Sequence, residues 1–367
     1  LEQLSSGVGI LLGASGLFSF TGLSFRLSRK TLDFVSSRMG TGDEHFLLLY
    51  DWLETIHLYF EGDWQSIGDH DEALVREVLR LGRIYDASQH LYWHGFVGMY
   101  RGAFPAVDAI VRCLDEIVEA YDHDISRSLR YELNTNRLIE RRDLPEALRE
   151  VEEGIAFMEK AGLTHFLIEM LSCRAWILVL MEDLEQAGSA LEQAGALSRE
   201  TDTVPFQLSN YYRARTEFDL VRLRRASGGG REAERGPLAR SASDSSRRLV
   251  EISSKVAQHR TDAHRLRGVY CWLVGKQKKA IGSWRKAVAA GEALGANLEL
   301  SRTYFEIGKR LSEDRSRYRA LDGVAAEGYL RKARGLFHEM GLGWDLNEMA
   351  RAGFGSAPSS REAGATG

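Results

Sequence analysis

Proline is scarce in this chain, five in 367 residues, so little interrupts the long helices that a missing backbone donor would break. Strand signals are scarce too: the stretches between glycines are rich in Leu, Ala, Glu and Arg, which favour helix. The three cysteines, Cys113, Cys173 and Cys271, lie far apart with neither CxxC nor any other zinc-ligand spacing. That pattern suits reduced, buried thiols in a cytoplasmic protein. Excess charge is missing as well. A net charge of −4 and a pI near 6.3 give no electrostatic push towards nucleic acid.

No basic stretch precedes the apolar start at Leu1, so no signal peptide is read, and the chain reads as a piece of a longer one. Residues 3–25 carry no charge and by length invite a membrane span, but their many Ser and Gly weaken it. The expectation is a truncated, buried first repeat helix.

What the sequence has in abundance is internal repetition. Six hexapeptides share one form: Gly22-Leu-Ser-Phe-Arg-Leu27, Gly62-Asp-Trp-Gln-Ser-Ile67, Gly102-Ala-Phe-Pro-Ala-Val107, Arg142-Asp-Leu-Pro-Glu-Ala147, Glu182-Asp-Leu-Glu-Gln-Ala187 and Gly275-Lys-Gln-Lys-Lys-Ala280. The first five begin 40 residues apart, and a second turn series, Gly42, Gly82, Asp122, Gly162 and Asp202, runs midway at the same period. Two interleaved series imply helices of about 16–18 residues, roughly 25 Å long, joined by short turns. The first position ends one helix, a large third residue (Trp64, Phe104, Leu144, Leu184) plugs the hairpin, and a small sixth residue (Ala147, Ala187, Ala280) lets the helices approach. Ala194 and Ala287 repeat the small position seven residues on, with Leu191 and Trp284 between, and Gly268 falls 12 before Ala280.

This hexapeptide resembles the turn between helix A and helix B of a tetratricopeptide repeat, although the 40-residue period exceeds the family's 34. The expected fold is all-α, a right-handed solenoid of antiparallel helix hairpins. The repeats are expected over 1–226, the first truncated, and over 247–352. The surplus between Ala187 and Ala280 coincides with a Gly/Ser/Arg stretch, read as a flexible loop at 227–246 inserted at a helix A/B turn. A six-residue excess after Ala280 is assigned to Ser312 through Arg319, and residues 353–367 read as a disordered tail.

Catalytic chemistry is hard to find. A P-loop fails because six residues, not four, separate Gly268 from Gly275-Lys276, and Gln277 replaces the needed Ser or Thr. His90 and His94 share a helix face at i and i+4, but no acid or third His stands at motif spacing, so no metal is assigned. Asp69-His70-Asp71-Glu72 reads as the acidic start of a helix, and Tyr121-Asp122-His123-Asp124 as a turn with its N-cap. Arg222, Arg224, Arg225, Arg231, Arg235 and Arg240 make the loop region basic, without interleaved aromatics for base stacking, so direct nucleic-acid contact is not expected. No catalytic residue and no cofactor is assigned.

In tetratricopeptide arrays helix A lines the inner surface. Counting back 15, 11 and 8 residues from the sixth hexapeptide position, the resemblance implies a groove of Trp52, Tyr92, Glu132 and Ser172; Ile56, Phe96, Asn136 and Trp176; and Tyr59, Met99, Ile139 and Val179. Arg265, Val269 and Trp272 follow from Ala280. Aromatics mixed with a few polar groups suit a protein or peptide partner, and the alternative is that the six extra residues per repeat rotate helix A and turn several of these positions inward as core. Leu298-Glu-Leu-Ser-Arg-Thr-Tyr-Phe-Glu-Ile-Gly-Lys-Arg-Leu311 and Tyr329-Leu-Arg-Lys-Ala-Arg-Gly-Leu-Phe-His-Glu-Met-Gly-Leu342 resemble the last repeat of bacterial signalling proteins that join a nucleotidyl cyclase, protein kinase or LuxR/MalT-type regulator to an AAA/STAND-type ATPase and such repeats. The resemblance implies a non-catalytic, cytoplasmic sensor scaffold whose partner includes an upstream ATPase or effector domain. The alternative is the regulatory half of an enzyme with its cyclase or kinase domain upstream.

Overall fold

The first residue of each hexapeptide is where a helix must stop, and its backbone shows how. In the computed structural model, which describes residues 2–38, 44–228 and 232–354, Gly22, Gly62, Gly102, Arg142, Glu182 and Gly275 all take positive φ, from 61° to 102°. Four glycines adopt this left-handed conformation freely, whereas Arg142 and Glu182 hold it against the steric cost to a side chain. The amide of Gly102 donates to the Met99 carbonyl at 3.0 Å and that of Ala103 to Gly98 at 2.8 Å, which caps the outgoing carbonyls. The same pair of bonds recurs at Arg142/Asp143, Glu182/Asp183 and Gly275/Lys276.

The helices follow in antiparallel pairs: α1 (Glu2–Thr21) with α2 (Phe25–Ser36), α3 (Glu44–Glu61) with α4 (Glu72–Arg80), α5 (Ile84–Arg101) with α6 (Phe104–Tyr121), and α7 (Asp124–Arg141) with α8 (Leu144–Ala161). Then come α9 (Thr164–Leu180) with α10 (Leu184–Glu200), α11 (Pro205–Gly228) with α12 (Glu232–Ser253), α13 (Arg260–Leu273) with α14 (Gln277–Leu294), and α15 (Asn297–Leu311) with α16 (Ala326–Glu339), closed by α17 (Gly343–Met349). The result is an all-α solenoid. Its sixth hexapeptide positions Val107, Ala147, Ala187 and Ala280 are fully buried between paired helices. In the second hairpin a 3-10 turn at Trp64–Ser66 delays α4 to Glu72, and Asp71 caps that helix by accepting from the amides of Ala73 and Leu74. Gly42 lies outside the described residues.

One expectation is corrected. Residues 232–246 are not a loop but most of α12, and α11 runs on to Gly228. The surplus length is absorbed by lengthening a helix pair to 24 and 22 residues. Its Arg- and Ser-rich composition hides an amphipathic stripe: Leu238, Ala242, Ser246 and Leu249 recur at helical spacing and are buried, as are Leu220, Leu223 and Ala226 on α11. Arg222, Arg224, Arg225, Arg235 and Arg240 therefore sit on helices, while Arg231 lies outside the described residues. The six-residue excess at Ser312–Arg319 is an irregular stretch as expected, and after it the chain forms a small antiparallel pair, Ala320–Leu321 with Val324–Ala325, before α16.

Residues 355–367 of the anticipated tail fall outside the described residues. The uncharged N-terminal segment is a repeat helix: the hydroxyls of Ser15 and Ser19 on α1 lie 2.7 and 2.9 Å from that of Ser28 on α2, all three buried. No helix among the described residues is long and apolar enough to cross a membrane.

The solenoid curls back on itself. The first helices of successive pairs, α3, α5, α7, α9, α11, α13 and α15, pack side by side, and α15 also touches α5 while α11 touches α1. At the seam the Ala257 amide donates to the Phe60 carbonyl at 2.8 Å, Asn297 Nδ2 donates to the Arg101 carbonyl at 3.1 Å, and Phe206 rests on Phe60 and Trp93.

Candidate binding site

The residues anticipated as a groove come together along the first helices, as their register requires, but they do not line an open surface. Trp52, Ile56, Tyr59, Tyr92, Phe96, Met99, Glu132, Asn136, Trp176 and Trp272 are buried, and the Arg265 side chain keeps only 14% of its exposure. Ser172, Ile139, Val179 and Val269 are buried too. The physical reason is the curl: each first helix is covered by its own partner, by its neighbours and, at the seam, by helices from the far end of the chain. Tyr59 stacks on Trp64 with ring centroids 5.4 Å apart. Trp52 donates from Nε1 to Asp86 at 3.2 Å, and Trp272 to Glu313 at 2.9 Å.

Glu132, Asn136, Trp176 and Arg265 lead into a buried polar system that the sequence did not reveal. It runs from Asp345 through Arg302, Glu140, Arg213, Asp262 and Arg265 to Glu217. Arg302 on α15 reaches Glu140 on α7 and holds Asp345 at 3.1 Å. Arg213 on α11 reaches Glu140 at 3.3 Å and Asp262 on α13 at 2.6 Å, and Arg265 joins Asp262 to Glu217 at 2.6 and 3.1 Å. The Arg213 guanidinium also lies 3.5 Å from the centroid of the Trp176 ring. Burial alone would raise the Glu140 and Asp262 carboxyls, but Arg302 and Arg213 on the first and Arg265 and Arg213 on the second hold both below their ordinary range.

Three acids in this interior lack such compensation. Both carboxylate oxygens of Glu132 and of Glu299 are buried without a hydrogen bond of regular geometry. Glu132 has Glu169 and the Tyr92 hydroxyl as polar neighbours. Glu169 accepts from Asn210 Nδ2 at 3.2 Å, and Glu299 lies 3.8 Å from His259 Nδ1. Burial raises all three, reinforced by Glu132 at Glu169 and by Asp262 at Glu299, so Glu169 and Glu299 in particular hold protons where surface acids have lost them. Burial also keeps His259 neutral down to about 3. Cys173, 3.6 Å from Asn136 Nδ2, is pushed up to about 12 by burial and is an inert thiol. Glu169 carried one sequence signal, being the lone acid of the otherwise apolar Phe166–Leu171 stretch; Glu299, Arg213 and Arg302 carried none, because their partners are 40 to 160 residues away.

The histidine pair also gains a partner. Asp51 on α3 places Oδ2 at 2.6 Å from His90 Nδ1 and 3.6 Å from His94 Nε2, and the two imidazole rings stand 4.3 Å apart. Asp51 lies 39 residues before His90, a repeat away and outside any local motif spacing. The other acidic and histidine clusters serve as anticipated: Asp71 caps α4, Asp122 takes φ 45° at its turn, and His123 Nδ1 accepts from the Ser126 amide to start α7.

No protein-family model matches the chain, and no curated protein matches it. Among solved structures, the crystal structure of a Rap protein complexed with competence and sporulation factor superposes with a TM-score of 0.60 at 12% sequence identity, covering 95% of this chain and 92% of that one. That protein is a tetratricopeptide-like helical repeat protein, and the shared element is the fold along nearly the whole of both chains.

Proposed function

We propose that the chain is a non-catalytic binding scaffold that holds a peptide, or a segment of a partner protein, against the inner face of its curled solenoid. The observation that carries this reading is the undercompensated acid of that face: Glu132 and Glu299, buried with no hydrogen bond of regular geometry at either oxygen, and Glu169, which neighbours Glu132. Keeping buried polar atoms without partners costs about 1–3 kcal/mol each, so selection for stability alone would remove them. A basic side chain or a peptide amino terminus would supply the missing donors and draw the carboxyls into their ionised form. The complex in which the Rap protein was solved fits the same use of such a fold. Binding there requires the seam to open where Arg302 ties α15 to Glu140 on α7 and to Asp345 on α17. Placement within a longer bacterial signalling protein, with an ATPase, cyclase, kinase or regulator domain upstream, rests on the resemblance of 298–311 and 329–342 alone and belongs to the same proposal.

The test is a random peptide array probed with the folded chain, followed by calorimetry on the retained peptides. Retained sequences should be enriched in Lys, Arg or a free amino terminus, and Glu169→Gln and Glu299→Gln should weaken them by about 10-fold or more, the scale of one lost charged hydrogen bond. Retention with no preference for positive charge, or affinity unchanged in both folded variants, overturns the reading.

A further inference from the structure

We infer that Asp51, His90 and His94 form a binding site for a divalent transition-metal ion of the zinc type. The argument starts from helix geometry. His90 and His94, one turn apart on α5, project from one face and converge, as their ring separation of 4.3 Å shows. α3 packs beside α5 one repeat earlier, so Asp51 meets the two rings from the side. The three ligand atoms, Asp51 Oδ2, His90 Nδ1 and His94 Nε2, all lie within 4.8 Å of one another. Around a tetrahedral ion bound at roughly 2.0–2.2 Å, ligand atoms stand about 3.3 Å apart. The 2.6 and 3.6 Å from Asp51 to the two imidazoles bracket that spacing, so side-chain movements of about an ångström bring the three atoms onto it.

Donor chemistry narrows the ion. Two imidazoles and one carboxylate suit zinc and its neighbours in the first transition row, not calcium or magnesium, which prefer oxygen. Burial divides the site suitably. Both imidazole side chains are nearly fully buried and fixed by packing, at 2% and 6% exposure, while the Asp51 side chain keeps 42% and opens the site to solvent for entry and for water as a fourth ligand. Thr55 Oγ1, 3.4 Å from His94 Nε2, is the polar group that supports the second imidazole before an ion arrives. A purely structural Asp51–His90 hydrogen bond accounts for one imidazole. It leaves unexplained why a second, buried imidazole is turned to the same carboxylate oxygen.

Cobalt(II) and zinc(II) serve as probes on the metal-free full chain. Cobalt should bind at one equivalent per chain with the visible ligand-field absorption of a four-coordinate site, and zinc should displace it. X-ray absorption on the zinc form should give two imidazoles with oxygen ligands and no sulfur. Asp51→Asn and His94→Gln, checked for fold by circular dichroism, should each lose more than the roughly 10- to 100-fold that removing a mere supporting group costs. No stoichiometric binding, sulfur in the coordination shell, or affinity unchanged in a folded variant overturns the assignment. The spectroscopy uses the unaltered chain, so it decides the matter even if a variant fails to fold.

Discussion

At the scale of single residues, close approach between helices is controlled by side chains that are absent. Gly268 on α13 lies against the Trp284 indole of α14, and a Cβ at this position would run into the indole nitrogen. That nitrogen donates to the Arg265 carbonyl at 3.2 Å, so the ring is fixed and has nowhere to move. Gly268→Ala is therefore expected to destabilise the chain by about 1–3 kcal/mol despite its higher helix propensity, as overpacking of a well-filled core does. Urea unfolding checks it, and an equal or higher midpoint would show that α13 and α14 can separate freely. The 12-residue offset from Gly268 to Ala280 marked this glycine in the sequence, but that it faces the Trp284 indole came only from the packing of α13 on α14.

Between elements, the contact of α7 with α9 carries a pH signature. Glu132 and Glu169 are both raised above the ordinary carboxylate range by burial, and the Glu132 carboxyl raises Glu169 further. A carboxyl with a raised folded-state pKa binds its proton more tightly folded than unfolded. Its stabilising contribution is complete below the unfolded value near 4.5 and is lost as pH rises through the raised value. Glu132→Gln should flatten that alkaline loss, which amounts to at most about 1.4 kcal/mol per pH unit for each fully titrating group. His57 and His259 act in the opposite sense. Burial keeps them neutral to about 4 and about 3, so stability falls as pH drops below about 6.5, where the unfolded imidazoles gain protons. The variant should leave this acid limb unchanged. Chemical denaturation of wild type and variant from pH 5 to pH 8.5 separates the two, and parallel curves would exclude the Glu132–Glu169 assignment. The apolar run around Glu169 hinted at such a residue, but only packing of α7 on α9 pairs it with Glu132.

For the whole molecule, closure depends on Arg302, which ties α15 to Glu140 on α7 across 162 residues and to Asp345 beyond. Arg302→Ala would leave both acids buried with part of their compensation gone, and breaking such a pair from one side costs about 3–5 kcal/mol. The expected result is a lower unfolding midpoint and a larger radius of gyration by small-angle scattering, since the seam loses a tie while each hairpin keeps its own core. An unchanged radius with the same loss of stability would mean that the apolar contacts of Phe206 with Phe60 and Trp93 hold the seam without it.

The sequence by itself determined the helix hairpins, their 40-residue register and the turns at Gly22, Gly62, Gly102, Arg142, Glu182 and Gly275. Those features come from contacts between residues close along the chain: a left-handed residue after a helix, a small residue facing its partner, an apolar stripe at helical spacing. Composition misled only where polar residues outnumbered the stripe, in α12, since Leu238, Ala242 and Leu249 are diluted by Arg and Ser. Only the tertiary structure decided which face of the first helices meets solvent. The curl that brings α15 to α7 and α11 to α1 turned an anticipated open groove into a buried polar interior, and it selected Glu132, Glu169 and Glu299 from among many acids. Register likewise put Asp51 one repeat before the histidines, but that it faces both is fixed by the packing of α3 on α5. Charge pairing across repeats leaves no local pattern, because a salt bridge constrains the distance between two side chains and not their separation along the chain.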